Sequence, residues 1–197
     1  MQELIGQSKP ERIGSFFPNP INHRSTTDQL PVTPVMSNSI SARVASLGLT
    51  LEPAASPAAN YVPFVQDHHL LHISGQISRQ GGAPAYQGRL GDTLSDEEGI
   101  AAARLAALGV LAQIVAATDD RLDRVARVVR LTVFIASAPG FDRQSAVANG
   151  ASDLMVQVFG DAGRHARSAV GVAALPAGVA VEVDAVISLV PTSRDIA

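Results

Sequence analysis

At 197 residues, 46% of them hydrophobic, the chain is long enough for one domain of roughly 150 residues with a sizeable core plus a tail. A net charge of −3 gives no electrostatic reason to bind nucleic acid and weighs against RNA as a partner. The lack of cysteine excludes disulfides, thiolate metal sites and cysteine nucleophiles, and no apolar run approaches the length a bilayer span requires, so no membrane is expected as a partner.

Residues 1–38 differ in kind from the rest of the chain. Pro10, Pro18, Pro20, Pro31 and Pro34 punctuate a polar stretch with no sustained hydrophobic period, which predicts an extended or disordered extension. It lacks the charged start, apolar centre and small-residue cleavage site of a secretory signal, so a cytoplasmic location is the expectation. Met36 offers a second start, so residues 1–35 stand either as a translated extension or as an artefact of the gene model. A domain over 39–190 and a tail over 191–197 complete the expected division.

From Ser39 a short helix is predicted, with Ile40, Val44 and Leu47 on one side and Gly48 closing it. Two strands come next, Tyr61 to Gln66 and Leu70 to Gln76, around an Asp67-His68-His69 turn, and a short edge strand is expected near Ala85 to Arg89. Ser95-Asp96-Glu97-Glu98 has the form of a capping box, opening a long helix to about Ala117. Its predicted buried stripe is Ile100, Leu105, Leu108, Leu111, Ala112 and Val115. Val128 to Ile135 reads as a strand, and Asp142 to Phe159 as a helix with Val147, Ala151, Leu154 and Val158 on its apolar side. The resulting order, β-β-α-β-α-β-β, predicts an α+β domain: one mixed sheet with two helices on one face, its other face buried by oligomerisation.

The last two strands are predicted over Ser168 to Ala174 and Val179 to Leu189, as a hairpin about Leu175-Pro176-Ala177-Gly178. In the second strand the odd positions from Val179 to Leu189 are apolar, so Glu182 and Asp184 share the opposite face. A symmetric hairpin sets Gly171 across from Glu182 and Ala169 across from Asp184, and puts Arg167 on the face of the two acids. Arg167 and Glu182 then stand about 13 Å apart along the strands, either addressing two parts of one ligand or leaving a neighbouring subunit to complete the site. Read as residues alone, charges on such a face are as well explained by a solvated surface. His68, His69 and His72 lack a further ligand at metal-site spacing and read as a turn pair plus a strand histidine. Ser74 and Ser168 lack the Gly-x-Ser-x-Gly context of a hydrolase nucleophile, and no glycine pair matches a phosphate loop.

The run Arg167-Ser-Ala-Val-Gly-Val-Ala-Ala-Leu-Pro-Ala-Gly-Val-Ala-Val-Glu182-Val-Asp-Ala resembles the C-terminal signature of the Rid family, the reactive intermediate deaminases, also called YjgF-like or L-PSP endoribonucleases. The resemblance extends over about Asn60 to Leu189. It includes Ile73-Ser74-Gly75-Gln76, like the family's Ser-Gly-Gln strand, Tyr61 at the place of its active-site tyrosine, and Asn149 at the place of its helix asparagine. Tyr-Val-Pro and the residues before Arg167 resemble a bacterial subgroup of that family.

What the resemblance implies is a chorismate-mutase-like fold, a homotrimer with clefts between subunits, and hydrolysis of 2-imino or 2-enamino acids to 2-keto acids and ammonia without metal or cofactor. Arg167 is then the carboxylate-binding residue, Glu182 positions the attacking water, and Tyr61 closes the cleft. Asn149, Ser74, Gly75 and Ala169 complete the implied substrate site. Ala169 stands where many members carry cysteine, which makes the pocket floor roomier. A non-catalytic trimer that binds or senses a small carboxylate remains the alternative.

Overall fold

A computed structural model describes residues 38–55 and 59–191; the expected extension before residue 38 and the tail beyond 191 lie outside these. Ser39 caps the first helix, α1 (Ile40–Ser46), its hydroxyl accepting from the Ala42 amide at 3.2 Å. Ile40 and Val44, one turn apart, are fully buried. Asp120 latches this helix to the body of the domain. Its carboxylate accepts from the Ser41 amide at 2.8 Å and from the hydroxyls of Ser39 and Ser41. Partial burial works against the Asp120 charge, but these hydrogen bonds outweigh it and hold the carboxyl below its ordinary value. Its contribution is therefore present above the ordinary aspartate range and lost as pH falls through the lower folded value. Asp120→Ala is expected to cost about 1–2 kcal/mol at pH 7, a range that allows for solvent screening. The urea midpoint reads the loss, and the difference from wild type should close in strong acid.

β1 (Phe64–Asp67) and β2 (Leu70–Ile77) form the predicted hairpin around His68-His69. The edge strand expected at Ala85 to Arg89 is reduced to one antiparallel bridge, Gln87 to Val179. A small hairpin, β3 (Arg79–Gln80) and β4 (Ala83–Pro84), precedes it. Glu52 holds the turn of that hairpin, its carboxylate accepting from the amides of Gly81 and Gly82.

α2 (Asp96–Thr118) opens on the predicted capping box, the Ser95 amide donating to Glu98 at 2.8 Å and the Glu98 amide to Ser95 at 3.3 Å. Beyond it come β5 (Val125–Ala136), α3 (Gln144–Phe159), β6 (Ala166–Val172) and β7 (Val181–Leu189). α2 buries only part of the stripe expected of it, Leu111 and Ala112. Ala102, Ala103, Ala106, Ala107, Val110, Leu111 and Ile114 are inside, whereas Ile100 is 38% exposed and Leu105, Leu108 and Val115 are only partly covered. Small residues win the inner face because α3 comes very close. A Cβ at Gly150 would overlap the Ile100 carbonyl oxygen. Contrary to the expectation from sequence, α2 is long and apolar enough by composition to cross a bilayer, yet 56% of that stretch is buried within the domain.

The main sheet has the order β1-β2-β7-β5-β6, antiparallel except for the parallel β5–β6 pair. The predicted hairpin of the last two strands is not formed, because β5 lies between them. β5, α3 and β6 make a strand–helix–strand crossover, which sets β6 parallel beside β5. The chain then passes over the end of β5, whose Ala136 amide bonds to the Ala180 carbonyl, and returns on the other side as β7. Alternation along β7 is as predicted: Val181, Val183, Ala185, Ile187 and Leu189 are buried and the residues between are half-buried. α2 and α3 cover the face these residues define.

Candidate functional site

Strand register decides which candidate side chains meet. Arg167 on β6 is level with Leu131 of β5, which pairs with the core residue Ala185 of β7, so Arg167 lies on the helix-covered face. Glu182 is level with Phe134 of β5 and Ile77 of β2, on the open face. The two were expected to share a face; they stand on opposite ones. Two strand spacings and three residues of rise separate their Cα atoms by about 14 Å before the side chains diverge. Ala169 and Gly171 pair with Val133 and Ile135, not with the acids. The candidates thus fall into two groups.

The first group sits where the β6 edge meets α3. Arg167 Nη1 donates to Asn149 Oδ1 and to Ser152 Oγ, both at 3.0 Å, and Nη2 donates to the Ser145 carbonyl at 3.1 Å. Asn149 and Ser152 are three residues apart on α3 and so share a helix face. A guanidinium has five N–H donors, and three are engaged here, leaving Nε–H and one Nη2–H. Among the described residues no carboxylate pairs with Arg167. Beyond Ala169 the same edge opens into a shallow cleft bordered by Gly171, Ser137 and Gln144. Ser152 and His165 also belong to this group and were not among the sequence candidates; the i, i+3 spacing of Ser152 from Asn149 is a signal that could have found the serine.

The second group lies on the open face. Ser74 donates its hydroxyl to the Val62 carbonyl at 2.8 Å and its amide to the Pro63 carbonyl at 3.0 Å, which ties the segment carrying Tyr61 to β2. Tyr61 is half exposed, at 50%. The register of β2 against β7 slips between Ile73 and Gln76, and Gly75 falls in that irregularity. The Glu182 carboxylate occupies the space a Cβ at Gly75 would need. Burial pushes the Glu182 carboxyl above its ordinary value, and Asp184 on the same face adds repulsion. No cation pairs with Glu182 among the described residues.

The raised folded value means that the ionised group disfavours the native chain. Its stabilising contribution is complete below the ordinary glutamate value of 4.5 and is lost as pH rises through the folded one. Glu182→Gln is therefore expected to raise the urea midpoint at pH 7, with the gain vanishing in acid. The described residues contain no group of three or more potential metal ligands.

A five-stranded mixed sheet with helices on one face defines an α+β protein of chorismate-mutase-like architecture. Residues 41–184 match the family model described as "YjgF/chorismate mutase-like, putative endoribonuclease", and the chain belongs to that family. It is 53% identical to Protein TCP17 of Trypanosoma cruzi over 156 residues, 79% of this chain and 97% of that one. Among solved structures it is similar to Atu1372 of Agrobacterium tumefaciens, a protein of unknown function, at 42% identity and TM-score 0.72, covering 77% of this chain and 92% of that one. It is also similar to Escherichia coli TdcF, solved with bound serine, at 25% identity and TM-score 0.50, covering 68% and 92% respectively.

Proposed function

We propose that the protein hydrolyses small 2-imino or 2-enamino acids to 2-oxo acids and ammonia, in sites completed between neighbouring subunits of a homotrimer. The observation that carries this reading is Arg167, held by three neutral acceptors with no acid beside it among the described residues and with two N–H donors left over. A guanidinium so placed suits a carboxylate, which it grips through a planar two-donor fork. The bound serine of TdcF, a small α-amino carboxylate, supports the same ligand class.

One chain cannot apply Arg167 and Glu182 to a ligand a few ångströms long, since they leave opposite faces of the sheet. A neighbour whose open face meets the β6 edge brings the partner subunit's Glu182 to the carboxylate held by Arg167. Each subunit then gives and receives half a site. Arg167 and Asn149 fix the substrate, and Glu182 takes a proton from water as the water oxygen adds to C2. The C–N π electrons move to nitrogen. Glu182 then gives that proton to nitrogen, leaving a carbinolamine. The C2 hydroxyl proton next passes through Glu182 to the same nitrogen as the C–N bond breaks, so ammonia leaves, the carbonyl forms and Glu182 is again ionised. Imine plus water becomes oxo acid plus ammonia, with no change in oxidation state. A carboxyl raised by burial both accepts and returns that proton readily. Ser74, next to the Gly75 against which Glu182 packs, and Tyr61, on the segment that Ser74 ties to β2, are assigned to the water's approach.

The test generates a 2-imino acid in place with an amino-acid oxidase and follows its decay. Wild-type protein should accelerate the decay, and Arg167→Ala should lose about 100-fold or more of that acceleration. Equal decay with both proteins would count against the deaminase. Saturable binding of pyruvate without any acceleration would instead identify a carboxylate-binding protein.

A further inference from the structure

We propose that Ser152 and His165 are positioning residues that set the direction in which Arg167 meets an anion, which rests on the reading of Arg167 as the carboxylate holder. Ser152 Oγ stands 3.0 Å from Arg167 Nη1 and 3.0 Å from His165 Nε2, and His165 Nδ1 stands 2.6 Å from the Gly163 carbonyl. The proton positions are fixed by the donors and acceptors alone. A carbonyl only accepts, so His165 Nδ1 carries the hydrogen and Nε2 of the neutral ring is an acceptor. The Ser152 hydroxyl donates to Nε2, which turns its lone pairs toward the arginine. Every proton in the chain from Arg167 to Gly163 then points the same way.

The far end of this chain is rigid. A Cβ at Gly163 would overlap the Met155 carbonyl of α3, so the Gly163 backbone is pressed onto the helix that also carries Ser152 and Asn149. The imidazole is half-buried, and burial lowers its proton affinity; the nearby Arg167 charge acts in the same direction and the Gly163 bond against it. The neutral ring that the chain of hydrogen bonds requires is therefore also the favoured one. The benefit is conformational. A free arginine side chain carries several rotamers, and ordering it on binding weakens affinity, whereas here the ordering precedes the ligand.

The test uses the full chain, pyruvate as probe and calorimetry for Kd. Ser152→Ala should weaken pyruvate binding about tenfold and Ser152→Thr, which keeps the hydroxyl, should restore it to within about twofold. Adding His165→Ala to Ser152→Ala should cost little more, since the imidazole acts through the hydroxyl. Nitrogen NMR of the unliganded protein supplies an independent readout. The His165 proton should lie on Nδ1, and the Arg167 guanidinium signals, sharp in wild type, should broaden in Ser152→Ala. Unchanged pyruvate affinity in Ser152→Ala, or a proton on Nε2, would overturn the proposal. If wild-type protein binds no pyruvate, the small-carboxylate reading fails, while the ring tautomer and the Arg167 signals still decide whether the clamp exists.

Discussion

Chains carrying Arg167→Ala and chains carrying Glu182→Gln, each inactive alone, are expected to recover about a quarter of wild-type turnover per site when unfolded together and refolded as an equal mixture. Each site takes its arginine from one chain and its glutamate from a neighbour. The chance that the arginine donor is intact is one half, and so is the chance for the glutamate donor. The recovered fraction is the product of the two and does not depend on how many subunits close the ring. If one chain supplied both groups, every site in the mixture would lack one of them and recovery would be nil. The physical basis is the register: Arg167 level with Leu131 on the helix face, Glu182 level with Phe134 on the open face. Mixed oligomers verified by mass spectrometry, yet without activity, would rule out the shared site.

The parts of this fold that were legible in the sequence are those set by local chemistry. The Ser95–Glu98 box is a reciprocal pair of hydrogen bonds within one turn, and both bonds are present. The alternation from Val181 to Leu189 is a property of a single strand, and the burial tracks it residue by residue. What was misread depends on partners distant in the chain. A Pro-Gly turn between two apolar runs permits a hairpin, but the strand–helix–strand order of β5, α3 and β6 already places β6 beside β5. With that neighbour taken, β7 has to go to the far side of β5, and Arg167 moves to the face opposite Glu182. The α2 stripe failed for a similar reason. Leucines and isoleucine define the apolar stripe by size, but near Gly150, where α3 meets the Ile100 carbonyl and Ala103, the buried positions of α2 are alanines. Val110, Leu111 and Ile114 enter the core only further along the helix. The candidate residues are legible as residue types, and their division between two faces is not, since division is a consequence of strand order.

That close helix contact makes a stability prediction of its own. Gly150→Ala is expected to destabilise the protein by about 3 kcal/mol and to lower Tm by roughly 6–12 °C. In an unhindered helix the same change is favourable by up to about 1 kcal/mol, because alanine loses less backbone freedom on folding. At Gly150 the added methyl meets the Ile100 carbonyl oxygen, a backbone atom of α2 that moves only if the helices separate. Separation in turn strips contacts from Ala103, Ala107 and Ala151, which are fully buried around the crossing. Gly109→Ala is the control. Its Cβ would lie 3.0 Å from the Gln76 Cβ, which is tight but does not overlap and asks for a shift of a few tenths of an ångström, and 3.3 Å from Gln76 Oε1, the movable end of that side chain. That variant should remain within about 1 kcal/mol of wild type. Equal Tm values for the two variants would show that the α2–α3 contact yields as easily as a side chain, and the small-residue face of α2 would then need another explanation.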